Sequence, residues 1–308
     1  MPKIEKKIIK NKPFFYLNEQ IKIDKVFKKI QVYLGKNIPK DLSQFYDNLC
    51  QKEIKSRIDN LDKIFHIEKS IGKEEYQKIE TLRVKWKYFF LNLSKKEKEK
   101  LWRKFAIQFI YESNAIEGSK LSQIEVENII KKHYVKKSLD RKEIIEVKNA
   151  INAFDLIKKD FKLNQKSIIN LHKIITENLD INPGYKKVKI VINNKETIPP
   201  QKVRKNMSNL ISWWKKEIKN KKHPLILAAE FHQCFEYIHP FEDGNGRVGR
   251  LLLIWIMNKF SYPPLLFESS NRHSYFEALN QADENRFLKL YWLFFKIFKK
   301  TTRELMKS

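Results

Sequence analysis

Between His239 and Arg250 the chain reads His-Pro-Phe-Glu-Asp-Gly-Asn-Gly-Arg-Val-Gly-Arg. This dozen holds three of its seven glycines and two of its ten arginines. The apolar run Leu251 to Met257 follows at once and reads as a buried helix starting near Gly246 or Arg247. The first N–H groups of a helix have no partner within it and carry the positive end of its dipole. A glycine-rich turn feeding such a helix is therefore an anion site, and phosphate is its natural guest. Gly244 and Gly246 allow close backbone approach, Asn245 tolerates an unusual backbone angle, and Arg247 and Arg250 can neutralise phosphoryl charge. Asp243 is a hard oxygen ligand suited to Mg²⁺ shared with phosphates, and His239 is poised as general base for a nucleophile attacking phosphorus. Phe241, apolar in a polar loop, should anchor the loop in the core.

The elements around this loop read as mainly helical. Pro224 opens a helix that delivers His239, so the loop is the tight connector of a helix-loop-helix. Upstream, capping boxes Ser94/Glu97, Ser122/Glu125 and Asp140/Glu143 start three helices, and Asn164 caps a fourth. The first of them runs into Ser113-Asn-Ala-Ile-Glu-Gly118 and stops at the glycine. Val188, Ile190 and Ile192 then alternate with Lys187, Lys189 and Val191. Asn193-Asn194-Lys195 supplies a turn and Glu196 to Ile198 a brief return strand, an exposed β-hairpin. Two helices, about 271–282 and 285–305, close the chain. At the other end Phe14 to Leu34 reads as two short strands in a small hairpin, and Asp41 to Glu80 takes helical spacing. Residues 1–85 form an N-terminal subdomain, α/β or helical, of unassigned role, and residues 86–308 the catalytic unit.

Composition bounds the function. Hydrophobic residues at 42%, charged residues at 32% and no apolar run long enough to span a bilayer indicate a soluble, cytoplasmic protein without a membrane partner. Met1 to Asn11 is basic but lacks the apolar core of a secretory signal. Cys50 and Cys234 fit no metal spacing and read as reduced thiols. The net charge of +27 rests on lysines spread along the whole chain, so it reads as composition bias and not as a dedicated nucleic-acid groove. The histidines outside the loop, His66, His133, His172, His223, His232 and His273, read as structural.

At every defined position His239 to Arg250 matches the signature H-P-F-x-[D/E]-G-N-G-R-x-x-R, and the chain thereby resembles the Fic family from about Trp86 to Phe298. The resemblance implies a mainly α Fic-type bundle with a β-hairpin flap, and an enzyme transferring AMP from ATP to a hydroxyl of a target protein. It implies that His239 deprotonates the target Tyr, Thr or Ser, that Asp243 holds Mg²⁺, and that Gly244, Asn245 and Gly246 cradle the phosphates. Arg247 would contact the phosphates and Arg250 the γ-phosphate. The flap, Val188, Lys189, Ile190, Val191 and Ile192, would register the target by strand-like pairing. Arg272, Tyr275, Phe276 and Asp283 resemble the stretch lining the adenine pocket, although many members have Tyr and Asn where this chain has Phe276 and Asp283. Lys186 or Lys187 stands where an arginine is common.

Ser113 to Gly118 also resembles the inhibitory motif [S/T]-x-x-x-E-[G/N], placed on the helix near 94–118. There Glu117 would reach Arg250 and occupy the γ-phosphate position. The expected activity is thus an autoinhibited protein adenylyltransferase. Its partner would be a target protein of unknown identity, and self-modification and homo-oligomers are both compatible with it. The alternatives are AMP removal, with Glu117 aligning water, and a basic nucleic-acid-binding regulator without catalysis.

Overall fold

The structure is a computed structural model that describes residues 2–132, 136, 138–159, 161–192 and 195–307. His133 and the Asn193-Asn194 turn lie outside the described residues. The chain opens with three antiparallel strands, β1 (Lys3–Ile9), β2 (Lys12–Ile23) and β3 (Val26–Gly35), ordered as a meander. The hairpin expected over Phe14 to Leu34 is present as β2 and β3, and β1 adds a strand before it. Lys10 and Asn11 both take positive φ, 49° and 58°, as a two-residue hairpin turn requires, so the basic N-terminal stretch pairs as a third strand. Its inward-facing residues are not apolar in strict alternation, because β1 is an edge strand whose own sides stay largely exposed.

The inner face of the sheet, Leu17, Ile21, Ile30, Val32 and Leu34, packs on Leu49, Cys50 and Ile54 of α1 (Ser43–Ile58). After α2 (Leu61–Ile64) comes α3 (Lys73–Asn92), which contributes to both cores. Val84 and Tyr88 join the sheet cluster, while Tyr76, Ile79 and Trp86 join the larger one. The boundary expected between residues 85 and 86 falls inside this helix.

Buried charges run along the junction. Glu53 Oε1 accepts from Arg57 Nε at 2.8 Å, and Glu53 Oε2 accepts from Lys87 Nζ at 2.8 Å and Tyr88 OH at 3.0 Å. Burial raises the Glu53 carboxyl, but Arg57 and Lys87 outweigh it and hold the group at about 2. Glu53→Gln leaves Arg57 only a 4.0 Å contact with Glu80, and Lys87 only Glu19. Loss of one partner of a buried pair costs about 3–5 kcal/mol, which urea denaturation at neutral pH will read as a lower midpoint. Because the folded value lies below the ordinary 4.5, this contribution is present in full above pH 4.5 and is lost as the pH falls towards 2.

The helical body follows. Ser94 and Glu97 close a capping box on α4 (Lys95–Ile116), and Ser122 and Glu125 close one on α5 (Gln123–Lys131). At α6 (Arg141–Lys159) the box is half made. Asp140 Oδ1 accepts from Lys142 N at 2.6 Å and Glu143 N at 3.4 Å, but the Glu143 carboxylate turns to Ser119 Oγ and Lys120 N, both at 2.7 Å. That second use pins α6 to the end of α4. Asn164 caps α7 (Gln165–Ile175) through Ser167 N at 2.9 Å. The hairpin is present but brief, β4 (Val191–Ile192) against β5 (Lys195–Glu196), with Thr197 N donating to Ile190 O at 3.0 Å as one further rung. Pro200 then opens α8 (Pro200–Lys219), and Pro224 opens α9 (Pro224–Ile238).

The helix after the loop, α10 (Asn245–Lys259), begins one to two residues earlier than its apolar run suggests, because Gly244 is its cap. Leu251, Leu252, Leu253, Ile254, Ile256 and Met257 are all at most 2% exposed, and α10 contacts α4, α6, α7 and α9. The helix that follows the His239 loop is therefore the axis of the core. α11 (Arg272–Asp283) and α12 (Leu288–Met306) close the bundle. Among the described residues no helix is long and apolar enough to cross a membrane.

Candidate active site

His239 ends α9 in a left-handed conformation, φ 47° and ψ 64°, with its N–H donating to Phe235 O at 3.1 Å. Burial first, and then the Lys186 ammonium, pull the ring down to about 4. The imidazole is therefore neutral, and able to accept a proton, throughout the physiological range.

The loop is stapled from within. Asn245 is 2% exposed, and its amide accepts from Phe241 N at 2.9 Å and donates to Phe241 O at 3.0 Å. Asn245 was expected in the cradle; its side chain is instead spent holding the loop, and its backbone N–H heads α10. Phe241 is fully buried, as expected of an anchor. Gly244 takes φ 79°, and an added Cβ would also press on Ile175 and His172 at 3.4 and 3.7 Å.

His172, read as structural, supports this loop from below. Its ring stacks on Phe241 at 3.8 Å and 11°. Nε2 lies 3.0 Å from Asp243 O, an acceptor, so it carries the proton, while Nδ1 accepts from Gly184 N at 3.1 Å. One buried side chain thus ties the catalytic loop to the turn before the hairpin. Its sequence signal was position: Ile168, Leu171 and Ile175 line the buried face of α7, and His172 falls on it. His172→Leu keeps the volume but leaves Gly184 N and Asp243 O unpaired. It is expected to lower kcat about tenfold or more with a smaller change in affinity for ATP, as steady-state kinetics on an active background will show.

The hairpin base is fixed by Lys186. Its N–H donates to Pro240 O at 2.9 Å, and its 3%-exposed side chain donates from Nζ to Thr197 Oγ1 at 2.6 Å. Burial brings this ammonium down to about 8. Of the two lysines singled out, Lys186 faces the loop, and Lys187 offers its backbone N–H to Glu242 at 3.5 Å. Val188 and Val191 are 53% and 59% exposed, so the hairpin presents apolar side chains outward.

Asp243 is exposed; its Oδ1 accepts from Gly244 N at 2.5 Å, and its Oδ2 lies 3.4 Å from Arg247 Nη2. Arg247 is further held by Glu146, Nη1 to Oε1 at 2.9 Å, a carboxylate from α6 that no sequence pattern pointed to. Among the described residues no group of three or more His, Cys, Asp or Glu is gathered to hold a metal. A Mg²⁺ needs no such group, since it takes one or two carboxylates and fills the rest with phosphate oxygens and water, so the single exposed Asp243 fits it.

At the centre lies Arg250, 2% exposed. Its Nε donates to Ser113 Oγ at 2.9 Å, and its Nη2 to Ser113 O at 2.9 Å and to Glu117 Oε1 at 2.7 Å. Glu117 caps the end of α4, where Arg272 Nε also donates to Ile116 O at 2.7 Å. A Cβ on Gly246 would overlap Glu117 Oε1 and come within 2.9 Å of Arg250 Nη1, so the carboxylate lies against the first turn of α10. The Glu117 carboxylate thus fills the space beside Gly246 at the start of this helix. Beneath Arg250, Tyr275 OH lies 2.6 Å from His232 Nε2. The nearby Glu236 carboxyl is raised to about 8, chiefly by burial and against the pull of Arg250. Phe276 is partly buried with the Arg272 guanidinium 4.9 Å over its ring, and Asp283 Oδ1 accepts from Gln233 Nε2 of α9 at 2.8 Å.

Residues 162–257 match the Fic/DOC family. Over 183 residues the chain is 30% identical to a protein adenylyltransferase Fic of Nematostella vectensis, covering 57% of this chain and 43% of that protein. Over 186 residues it is 31% identical to one of Aedes aegypti, covering 58% and 37%. The chain thus spans less than half the length of these curated relatives. In fold it resembles a Fic-domain signalling protein of Bacteroides thetaiotaomicron, with a TM-score of 0.69 at 24% identity, covering 74% of this chain and 95% of that one. It also resembles Fic-1 of C. elegans, with a TM-score of 0.68 at 20% identity and 86% of each chain covered.

Proposed function

We propose that this chain, whose residues 162–257 match the Fic/DOC family, is a protein adenylyltransferase, moving AMP from ATP to a hydroxyl of a target protein and held in check by Glu117. The observation that carries this reading is the 2.7 Å contact of Glu117 Oε1 with Arg250 Nη2 at the start of α10. A carboxylate there both neutralises the guanidinium and repels an incoming phosphate.

In the proposed reaction the target hydroxyl loses its proton to His239, and its oxygen bonds to the α-phosphorus of ATP as the bond to pyrophosphate breaks. The leading N–H groups of α10, with Gly246 leaving room beside them, stabilise the phosphate charge. Arg250 takes the γ-phosphate once Glu117 has withdrawn. Asp243 would hold Mg²⁺, whose charge would screen the phosphates. The exposed β4 edge and Val188 present the target segment by strand-like pairing. Phe276 and Asp283 form the adenine end. The setting is cytoplasmic, in keeping with free Cys50 and Cys234.

Incubation of Glu117→Gly protein with ATP labelled on the α-phosphate, and in parallel on the γ-phosphate, tests the chemistry. Protein-bound label from the α position alone is expected, with a mass increase of one AMP. Label from the γ position would sink the reading. The pH profile offers a second check. With His239 at about 4, kcat/KM of the released enzyme stays level from pH 8 down to pH 6 and falls only as the pH approaches 4. An ordinary histidine near 6.5 would already have lost most of its base form at pH 6.

A further inference from the structure

We propose that the outer face of the β1–β2–β3 sheet binds single-stranded nucleic acid, with bases stacked on Tyr16 and Tyr33 and phosphates held by Lys7 and Lys22. This surface is separate from the His239 loop, and the proposal stands independently of the adenylyltransferase reading.

The strand register settles which side chains share that face. Leu17, paired with Val32, faces inward to the core, so its neighbours Tyr16 and Asn18, paired with Tyr33 and Gln31, face outward. From β1 the same face receives Lys7 and Glu5, paired with Phe14 and Tyr16. From the other end come Lys22 and Phe27, which pair with each other. Packing does not account for the rings. Tyr33 is 46% and Phe27 62% exposed, whereas the inward Val32 and Leu34 are 8% and 6%. The rings nevertheless form an array: Tyr16 and Tyr33 have centroids 5.3 Å apart, and Phe14 and Tyr33 have centroids 6.1 Å apart. Lys7 Nζ sits 4.7 Å over the Tyr16 ring, placing a cation beside a stacking surface.

The region is strongly net positive. Residues 1–36 contain ten lysines and three acids. Each acid is already engaged: Glu5 with Lys29, Glu19 with Lys87, and Asp24 with Lys221. Neighbouring rings with interspersed amides and lysines suit a chain that alternates planar bases with phosphates. An acidic peptide would use the lysines and leave the rings idle. The chain-wide charge of +27 plays no part in this argument, because it would act equally from every surface.

Fluorescence anisotropy of the full chain with labelled oligothymidylate and oligouridylate, across a salt series, tests the proposal. Wild type and Tyr33→Phe are expected to bind alike, since both keep a ring. Tyr33→Leu, which keeps apolar bulk without a stacking face, and Tyr16→Leu should each bind at least about fivefold more weakly. Lys7→Ala should reduce the slope of log K against log salt by about 0.7, one phosphate contact on a single strand. Circular dichroism melts identify variants that remain folded, and only those are scored. Absence of binding by wild type overturns the proposal. So does binding that the ring-to-leucine changes leave untouched, or polyglutamate competing as well as the oligonucleotides.

Discussion

Replacing Glu117 with glycine is expected to raise AMP transfer on the order of 100-fold, from a wild type close to background. The magnitude follows from competition. A charge-assisted contact that must break before the γ-phosphate can seat, worth roughly 2.7 kcal/mol, corresponds to a hundredfold suppression. The expectation that substitution releases the enzyme, instead of collapsing the site, comes from how Arg250 is held. Two of its three hydrogen bonds go to Ser113 and one to Glu117, so the guanidinium keeps its direction when the carboxylate leaves. Glu117 itself stands at a helix end with its side chain 39% exposed, where a substitution costs the fold little. Glu117→Gln keeps a hydrogen-bonding group without the charge and is expected to fall between the two. The readout is incorporation of α-labelled AMP into the enzyme itself or into a lysate. Equal incorporation by wild type and Glu117→Gly, with ATP shown to bind both, sinks the inhibitory role. An AMP-modified target that loses its AMP with wild type and not with Glu117→Gly would instead support removal.

On that released background, His239→Ala is expected to lower the transfer rate by about 10²–10⁴, the range for loss of a positioned general base, while ATP binding by calorimetry changes little. The two readouts separate because the phosphate-facing groups, Arg250 and the start of α10, are held by Ser113 and Asn245 and not by the histidine. Alanine in the left-handed conformation at this position carries a strain of about 1–2 kcal/mol, so part of the loss could come from a distorted loop. His239→Asn removes that ambiguity, since asparagine accepts the backbone angle but cannot take the proton. Activity retained by His239→Asn would show that another group performs the deprotonation.

The features legible in the sequence share one property: their partners lie close in the chain. The Ser94/Glu97 and Ser122/Glu125 boxes need only two intervening residues, and the glycine turn is contiguous from Gly244 to its helix. The contact of Ser113 and Glu117 with Arg250 crosses more than 130 residues, and only the resemblance of two short motifs joined them. Where no motif helped, tertiary contacts stayed hidden. Glu143 was read as half of a cap, but Asp140 already satisfies the N–H groups and the carboxylate is drawn to Ser119. His172 and Glu146 look ordinary on their helices, and become part of the site only when α6 and α7 come against α10. The strand β1 was obscured by Lys3, Lys6 and Lys7, which an edge strand with both sides largely exposed can carry.

A second buried cluster, joined to the junction network through Arg57 Nη1 and Glu80 Oε2 4.0 Å apart, bears on the His239 end through mechanics. His223 caps the start of α9, with Nε2 3.6 Å from Glu80 Oε1 and 3.4 Å from Tyr262 OH, while Tyr262 donates to Glu80 as well. His239 ends the same helix. At 15 residues this helix is a rod of about 22 Å, fixed at its base by α3 and carrying His239, the proposed general base, at its tip. A tilt of about 2° at the base would displace the tip by about 0.8 Å, more than the ~0.5 Å within which catalytic groups must be held. Angular stiffness at the foot of this lever, far from any substrate, is therefore part of the aim of the imidazole.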